Sequence, residues 1–284
     1  MTRPSTPDDL RAHIRATPIA GDPPAMRDAF ARRVSAAAAL PRTEIGGVAC
    51  AVFGHERHQD GEGTLLWLHG GGLVMGAPES HAVMLERLAG LTGLRVVAPA
   101  YALAPEAPWP AQRDACRDVL SALPGPVHLG GDSAGGQIAL ILAQRLTDRI
   151  ATLSLVSPNT DRTGLSTTRA RDTDLMNDGE SDAAFARQAL GDYDPADPEV
   201  SPLLGPLDEL PPLLVVAAGA EVLLDDALLL VHRAALADAS VSLRVFPGLF
   251  HLFPLWPDIL PQGDAALRAI AAHIAEGAPS PRPA

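Results

Sequence analysis

The chain has 284 residues, of which 47% are apolar and 20% charged, a balance typical of a folded globular protein and not of a disordered one. Its 34 acidic and 22 basic residues give a formal net charge of −12, which argues against nucleic acid or a membrane surface as a partner, since both are anionic. No stretch reaches the roughly 18 consecutive apolar residues of a membrane-spanning helix, and the first residues lack the apolar run of a signal peptide, so we expect a cytoplasmic location.

Along the chain, helical and β-rich segments follow one another. Residues 1–44 are rich in Ala and Arg and predict helices that are broken at Pro23-Pro24 and end at Pro41. From Gly46 onward, short apolar β-rich runs alternate with segments of helical length. The predicted strands cover residues 48–53, 64–69, 95–98, 127–130, 152–156, 213–218 and 242–246, and the predicted helices between them cover 80–91, 111–122, 135–146 and 225–237. This alternation predicts an α/β protein with a mostly parallel sheet and helices on both faces.

One long interval interrupts this alternation. About 55 residues rich in Asp, Thr and Pro separate the fifth predicted strand, 152–156, from the sixth, 213–218. Because a loop of that length without structure is uncommon in a compact domain, we expect helices there. Residues 159–210 and 1–44 would then form a cap over one end of the sheet, within a single domain spanning 1–284. Cys50 and Cys116 lie in apolar surroundings and are expected to be buried free thiols.

The sequence G-D-S-A-G at 131–135 follows a predicted strand and precedes a helical run. This is the G-x-S-x-G pattern in the strand–turn–helix context that a nucleophilic serine requires, because small neighbours allow a tight turn. The other interpretation is an ordinary glycine-rich connection, which the context makes the weaker one. Ser133 is therefore the predicted nucleophile.

A second glycine-rich segment, H-G-G-G at 69–72, comes directly after the strand Thr64–Leu68. Glycines allow the backbone to approach a ligand closely and to direct N–H groups toward it. A phosphate-binding loop is the alternative, but the chain has neither G-x-G-x-x-G nor G-K-[ST]. We expect the N–H groups of Gly71, Gly72 and Ala134 to form an oxyanion hole.

A serine nucleophile needs a base, because its free hydroxyl is a weak nucleophile. Of the nine His residues, only His251 follows the last predicted strand on a loop, where a base is expected in this arrangement. His232 and His273 fall in helical segments. His55 and His58 have an i, i+3 spacing but no carboxylate support, so no metal site is expected.

The acid that orients the histidine should follow the strand at 213–218. Glu221 comes first after this strand, in a position from which a loop carboxylate can reach a His Nδ1 atom. Asp225 is the alternative, although it and Asp226 look like the first turn of the next helix, where carboxylates are favourable. Glu221 is the predicted acid, and the choice against Asp225 stays open.

The chain resembles the hormone-sensitive-lipase-like esterases, bacterial family IV of the α/β-hydrolase superfamily. The resemblance rests on H-G-G-G at 69–72, Y-A-L-A-P-E at 101–106, G-D-S-A-G-G at 131–136, S-P-N-T-D at 157–161 and E-V-L-L-D-D at 221–226. It covers about nine tenths of the chain. The last motif begins with a glutamate, Glu221. In this respect the chain resembles the branch of the family that includes monoterpene ε-lactone hydrolase-like enzymes.

The resemblance implies an α/β-hydrolase fold with an eight-stranded sheet and a helical cap. It also implies a serine carboxylesterase that acts on short- to medium-chain esters or lactones, needs no cofactor, and pairs as a homodimer through the edge of the last strand. Two other interpretations use the same residues. One is an acyltransferase or thioesterase of a biosynthetic pathway, and the other is a receptor that has lost catalysis, which predicts a missing triad member.

Overall fold

The computed structural model describes residues 3–54 and 63–277, in which one mixed sheet carries the fold. Its strands are β1 (Thr43–Ile45), β2 (Val48–Phe53), β3 (Thr64–Leu68), β4 (Arg95–Pro99), β5 (Val127–Asp132), β6 (Ile150–Val156), β7 (Leu213–Ala218) and β8 (Val241–Phe246). They lie in the order β1-β2-β4-β3-β5-β6-β7-β8. All pairs are parallel except β1–β2 and β2–β4. The predicted α/β class and the mostly parallel eight-stranded sheet are confirmed.

The described residues also form α-helices, several of which pack against the sheet. They are α1 (Pro7–Arg15), α2 (Pro23–Arg33), α3 (Pro78–Thr92), α4 (Ala111–Ala122), α5 (Ala134–Arg145), α6 (Gly179–Leu190), α7 (Leu224–Leu236) and α8 (Pro261–Glu276). Helix α3 packs against α8, and α4 packs against α5, which also contacts β3, β5 and β6. Every residue of β3, β5 and β7 is buried, as expected for strands covered on both faces. None of the described helices is long and apolar enough to cross a membrane.

The N-terminal 44 residues are not entirely helical. Helices α1 and α2 form as predicted, but Thr43 and the two residues after it form strand β1, which pairs antiparallel with the start of β2. The turn between them is Gly46-Gly47, with φ of +61° and +78°. Two positive φ values suit a tight hairpin turn, and Gly adopts them without steric cost. The Gly-Gly pair is thus a hairpin signal. Helix α2 ends at Arg33, so the predicted end of the helical segment at Pro41 was wrong.

The interval 159–210 contains helix α6 and short helical turns, as its length predicted. The Asp178 side chain caps the start of α6 by accepting the N–H of Ser181 at 2.7 Å, and the helix ends at Gly191, with φ of +58°. Cys50 and Cys116 are buried and free, as predicted. His55 and His58 lie outside the described residues.

The strand order brings four loops to one edge of the sheet. Strands β3, β5, β6, β7 and β8 are neighbours and run parallel, so their carboxyl ends meet at that edge. The glycine-rich segment 69–72 follows β3, Ser133 follows β5, Glu221 follows β7 and His251 follows β8. The fold therefore gathers side chains that are far apart in sequence.

Candidate active site

Ser133 occupies a strained turn between β5 and α5. Its φ is +53° and its ψ is −120°, a conformation that L-residues rarely adopt. A Cβ atom on Gly131 would lie 2.5 Å from the carbonyl oxygen of Gly135, and one on Gly135 would lie 2.0 Å from that of Leu68. Both neighbours must therefore be glycine for the turn to close. This geometry explains the G-x-S-x-G pattern and presents the hydroxyl at the end of the strand.

Ser133, His251 and Glu221 form one hydrogen-bonded chain. His251 Nε2 is 2.9 Å from Ser133 Oγ, and His251 Nδ1 is 2.8 Å from Glu221 Oε2. The other carboxylate oxygen of Glu221 accepts the backbone N–H of Ala218 at 2.8 Å, which fixes the acid to the end of β7. Glu221 is fully buried and His251 is 4% exposed. The structure brings together the three side chains that the sequence proposed for nucleophile, base and acid.

Asp225, the alternative acid, is held elsewhere. Its Oδ2 accepts the backbone N–H of Thr167 at 2.7 Å and the Thr167 hydroxyl at 2.9 Å. It lies in the first turn of α7, as the sequence suggested. His251 makes its carboxylate hydrogen bond to Glu221 and not to Asp225.

The surroundings of His251 favour its protonated form. Burial lowers the pKa of His251, but the hydrogen bond and the negative charge of Glu221 raise it, and Asp174 and Asp132 raise it further. The net result is a pKa above 6.5, the usual value of imidazole. The carboxylates therefore stabilise the imidazolium that forms when His251 accepts a proton.

The glycine-rich loop after β3 presents free N–H groups beside Ser133. Gly71 and Gly72 have φ of +121° and +62°, and no acceptor among the described residues takes either N–H. A Cβ atom on Gly71 would lie 2.2 Å from the carbonyl oxygen of Met75. Ala134 is the first residue of α5, where a helix leaves its N–H groups without intrahelical partners. Gly71 and Gly72 line the same small cavity as Ser133.

Asp132 holds the start of the glycine-rich loop in place through hydrogen bonds. Its Oδ2 accepts the N–H of Gly70 and contacts His81 Nε2, each at 2.9 Å, while its Oδ1 accepts the indole N–H of Trp67 at 2.8 Å. Burial raises the pKa of Asp132, but His81 and Trp67 lower it more, so the net pKa is lowered. The residue before the candidate nucleophile thus fixes the start of the glycine-rich loop. His81 was not found from the sequence, because nothing in a helical His predicts this contact.

Asp174 is a second residue that the sequence did not reveal. Its Oδ1 accepts the backbone N–H of His251 at 3.1 Å, and its Oδ2 accepts that of Val222 at 3.2 Å. One carboxylate from the 159–210 segment thereby ties together the loops that carry His251 and Glu221. It belongs to a stretch with many Asp residues, so its sequence position alone gave no signal.

A small cavity lies above Ser133, with a volume of about 40 Å³. The described residues that line it are Ile19, Phe30, Gly71, Gly72, Met75, Ser133, Asn159, Met176, Asn177, Asp182, Phe185, His251 and Leu252. A larger open groove, of about 1090 Å³, lies beside α3 and the start of α8, and none of the three hydrogen-bonded side chains lines it. Within the described part of the chain, no group of three or more His, Cys, Asp or Glu residues could hold a metal ion.

The chain is similar to proteins of known class. A family model described as an alpha/beta hydrolase fold matches residues 65–255. An acetyl-hydrolase of Streptomyces hygroscopicus is 35% identical over 231 residues, which cover 76% of this chain and 76% of that protein. An esterase of Acinetobacter venetianus is 33% identical over 217 residues, 72% of each chain. The crystal structure of an esterase from the bacterial hormone-sensitive lipase family is 30% identical, with a TM-score of 0.87 over 98% of this chain and 99% of that one.

The chain belongs to the α/β hydrolases and, within them, to the hormone-sensitive-lipase-like esterases. It is a serine hydrolase that acts on carboxylic ester bonds. The family, the fold and the class of reaction predicted from the sequence are confirmed, and the receptor interpretation is set aside.

Proposed function

We propose that the chain hydrolyses short-chain carboxylic esters through a triad of Ser133 as nucleophile, His251 as base and Glu221 as the acid that orients it. The observation that carries the proposal is the hydrogen-bonded chain from Ser133 Oγ through His251 to the buried Glu221, with distances of 2.9 and 2.8 Å. Side chains at these distances allow direct proton transfer from the hydroxyl to the imidazole.

In the first half of the reaction, Ser133 Oγ attacks the ester carbonyl carbon while His251 Nε2 accepts the hydroxyl proton. The N–H groups of Gly71, Gly72 and Ala134 stabilise the negative charge that forms on the carbonyl oxygen. Removal of a single donor of this kind costs about 10²–10³ in rate in known hydrolases. His251 then donates its proton to the departing alcohol, and the acyl group stays on Ser133.

In the second half, His251 accepts a proton from a water molecule, which attacks the acyl-enzyme. The same N–H groups stabilise the second oxyanion. The carboxylic acid leaves when Ser133 recovers its proton from His251. Glu221 keeps the Nδ1 proton in place throughout and stabilises each imidazolium as it forms. No cofactor takes part in these steps.

The domain organisation in this proposal is a single domain, 1–284, with a cap built from about residues 1–44 and 159–210. Both segments contribute to the cavity above Ser133, the first through Phe30 and the second through Phe185. Arg33 supports the contact between them, because its guanidinium donates to the carbonyl oxygens of Thr17 at 2.7 Å and of Met176 at 3.0 Å.

The volume of the cavity supports a small acyl group. One water molecule needs roughly 10–15 Å³ of such volume, so a cavity of about 40 Å³ accepts about three atoms of that size. The Streptomyces relative is named an acetyl-hydrolase, which agrees with a short acyl chain. A small lactone is an internal ester and could react through the same steps. The alternative of acyl transfer to a bulky alcohol or a carrier protein, or of thioester hydrolysis, needs an acceptor or substrate that this cavity accommodates less well.

Two further expectations accompany the proposal. The partner is a small ester or lactone, and neither nucleic acid nor a membrane is involved. Strand β8 is the last strand of the described sheet and pairs with β7 on one side only, so a homodimer through its free edge stays a prediction, as does the cytoplasmic location.

The proposed acyl size is tested by initial rates on p-nitrophenyl acetate, butanoate, octanoate and dodecanoate. We expect kcat/KM to be highest for acetate or butanoate and at least about tenfold lower for octanoate, because extra methylenes do not fit the cavity. Phe185 packs against the glycine-rich loop, since a Cβ atom on Gly72 would lie 3.0 Å from its Cβ. Phe185→Ala should therefore move the optimum to longer chains.

Leu236→Ala is the matched control, since Leu236 is 76% exposed on α7 and distant in sequence from the cavity-lining segments. It should leave the chain-length profile unchanged. An enzyme that is inert on all four esters would contradict the proposal. Product analysis with a competing alcohol separates hydrolysis from acyl transfer, since a transferase would form mainly the new ester.

A further inference from the structure

Asn159 follows strand β6 and lies next to the candidate nucleophile. Its backbone N–H donates to the carbonyl oxygen of Ser133 at 3.1 Å. The residue is 2% exposed and lines the small cavity together with Ser133 and His251. The catalytic steps described above give its side chain no role. An amide in this position is therefore available to contact the substrate.

The orientation of this amide is fixed by Arg169. The guanidinium Nη2 of Arg169 donates to Asn159 Oδ1 at 2.9 Å, so the oxygen faces the arginine and the amino group takes the other side. Among the described residues, no acceptor forms a hydrogen bond with Asn159 Nδ2. Buried N–H donors are almost always paired with protein, water or ligand, because an unpaired donor destabilises the structure. Nδ2 is not one of the fully buried described atoms that lack a partner, so it is open to the cavity, where either water or a substrate oxygen can accept its hydrogen bond.

The charges around Asn159 select an uncharged partner. Arg169 contacts Asp182 Oδ2 at 2.5 Å and Asp226 Oδ1 at 2.6 Å, and Arg162 also pairs with Asp182. Each guanidinium is thus matched by a carboxylate and is not free to bind an anion. Asp182 itself lines the cavity, where it would repel a carboxylate on the substrate. A neutral oxygen that accepts a hydrogen bond is the chemistry that fits.

Asn177 is a second residue with a side-chain amide in the lining of the cavity. It is half-buried and makes no side-chain hydrogen bond with the described residues. The remaining lining side chains are mainly apolar, Phe30 and Phe185 among them. A hydrocarbon chain bound in this cavity would displace water from the two amides without replacing its hydrogen bonds, which is unfavourable.

We propose that the preferred substrate is a small ester that carries a second, uncharged oxygen within a few bonds of the scissile carbonyl, as a hydroxyl, ether or carbonyl group, and that Asn159 Nδ2 donates a hydrogen bond to this oxygen. This inference rests on the proposed esterase function and names the substrate class of the same site. Asn159 is a specificity-determining residue, while Ser133, His251 and Glu221 carry the reaction.

The test uses two pairs of esters in which an oxygen replaces a methylene of the same size. The acyl pair is p-nitrophenyl methoxyacetate and p-nitrophenyl butanoate, and the alcohol pair is methoxyethyl acetate and butyl acetate. For each pair, the ratio of kcat/KM for the oxygenated ester to that for the hydrocarbon ester is measured in the wild type and in Asn159→Leu. Comparison of the two ratios cancels the intrinsic reactivity of the esters. We expect the ratio to fall by about threefold to tenfold in the variant for one of the pairs, which is the effect of one neutral hydrogen bond.

Asn159→Asp is the second variant, because it keeps an oxygen facing Arg169 and replaces the amino donor with a carboxylate oxygen. Its added negative charge acts on both uncharged esters of a pair, so the ratio still reports the loss of the donor. If Asn159→Leu does not fold, the ratios are compared between the wild type and Asn159→Asp. Asn177→Leu is the comparison at the other amide. A fall of the ratio in the Asn159 variants supports the inference, and the pair that responds shows whether the oxygen belongs to the acyl or the alcohol group.

Unchanged ratios in both Asn159 variants would overturn the inference, as would a fall seen only in Asn177→Leu. In either case continued hydrolysis of p-nitrophenyl butanoate would leave the esterase proposal intact. A wild-type protein that hydrolyses none of the four esters would instead refute the proposed function and, with it, this inference.

Discussion

Ser133→Ala is expected to lower kcat for p-nitrophenyl acetate by about 10⁶, the loss seen when the nucleophile of a serine hydrolase is removed. Alanine has no hydroxyl to attack the carbonyl carbon, so no acyl-enzyme forms. A rate enhancement of about 10³–10⁴ over the uncatalysed reaction should remain, because the N–H groups of Gly71, Gly72 and Ala134 still stabilise an oxyanion formed by attack of water. KM should change little. The measurement is the steady-state release of p-nitrophenol.

Ser154→Ala is the matched control for this prediction. Ser154 is a buried serine of β6 whose Oγ has no hydrogen-bond partner among the described residues, so its loss should change neither folding nor rate appreciably. Thermal unfolding of both variants shows whether they fold. Retention of more than about one tenth of the wild-type kcat in a folded Ser133→Ala protein would show that another group attacks the ester.

Glu221→Gln is expected to lower kcat by about 10⁴, the effect of the equivalent acid-to-amide change in the trypsin-type triad. The glutamine amino group can donate to His251 Nδ1, which places the imidazole proton on Nε2. In that tautomer Nε2 cannot accept the Ser133 proton. The position also loses the charge that stabilises the imidazolium. Initial rates on p-nitrophenyl acetate measure the effect.

Asp225→Asn is the control that decides between the two acids considered from the sequence. Its carboxylate binds Thr167, so its replacement should change kcat by no more than about twofold, as expected for a residue away from the reacting groups. The opposite pattern, a large loss in Asp225→Asn and a small one in Glu221→Gln, would show that the acid has been assigned to the wrong residue.

The pH dependence of the Glu221 variant has a defined sign. His251 must be neutral to accept a proton, so kcat/KM falls as the pH drops through its pKa, which lies above 6.5 in the wild type. Burial alone lowers this pKa, and Glu221 is the strongest of the groups that raise it. In Glu221→Gln the acidic limb of the profile should therefore move to lower pH. Asp174 and Asp132 still face His251, so part of the elevation remains. An acidic limb at the same pH in the variant and in the wild type would contradict the role assigned to Glu221.

The parts of the site that could be predicted from the sequence are those set by local backbone geometry. The turn at Ser133 needs glycines at 131 and 135 because Cβ atoms there would overlap backbone oxygens, and such a requirement is written directly in the sequence. His251 was identifiable because the order of strands and loops leaves one histidine on the loop after the last strand, while His273 falls in the helix that follows. The hairpin at Gly46 was missed, although two adjacent glycines are a local signal of the same kind.

The choice between Glu221 and Asp225 could not be made in this way. Both follow β7 within a few residues, and the decision rests on which carboxylate the backbone N–H of Ala218 binds and which faces His251. The contacts of Asp174 and His81 are of the same type, since they join residues separated by 77 and 51 positions. Non-local contacts of single polar side chains leave no periodic pattern in a sequence.

Covalent labelling with diethyl p-nitrophenyl phosphate tests most directly whether Ser133 is the nucleophile. This reagent transfers a phosphoryl group to an activated serine, and its adduct is stable enough for mass spectrometry of the intact protein and of its peptides. We expect one phosphoryl group per chain, located on the peptide that contains Ser133. Activity should fall in proportion to labelling, and Ser133→Ala should form no adduct. A single inactivating adduct on any other residue, or full activity in a protein labelled at Ser133, would contradict the assignment of Ser133 as the nucleophile.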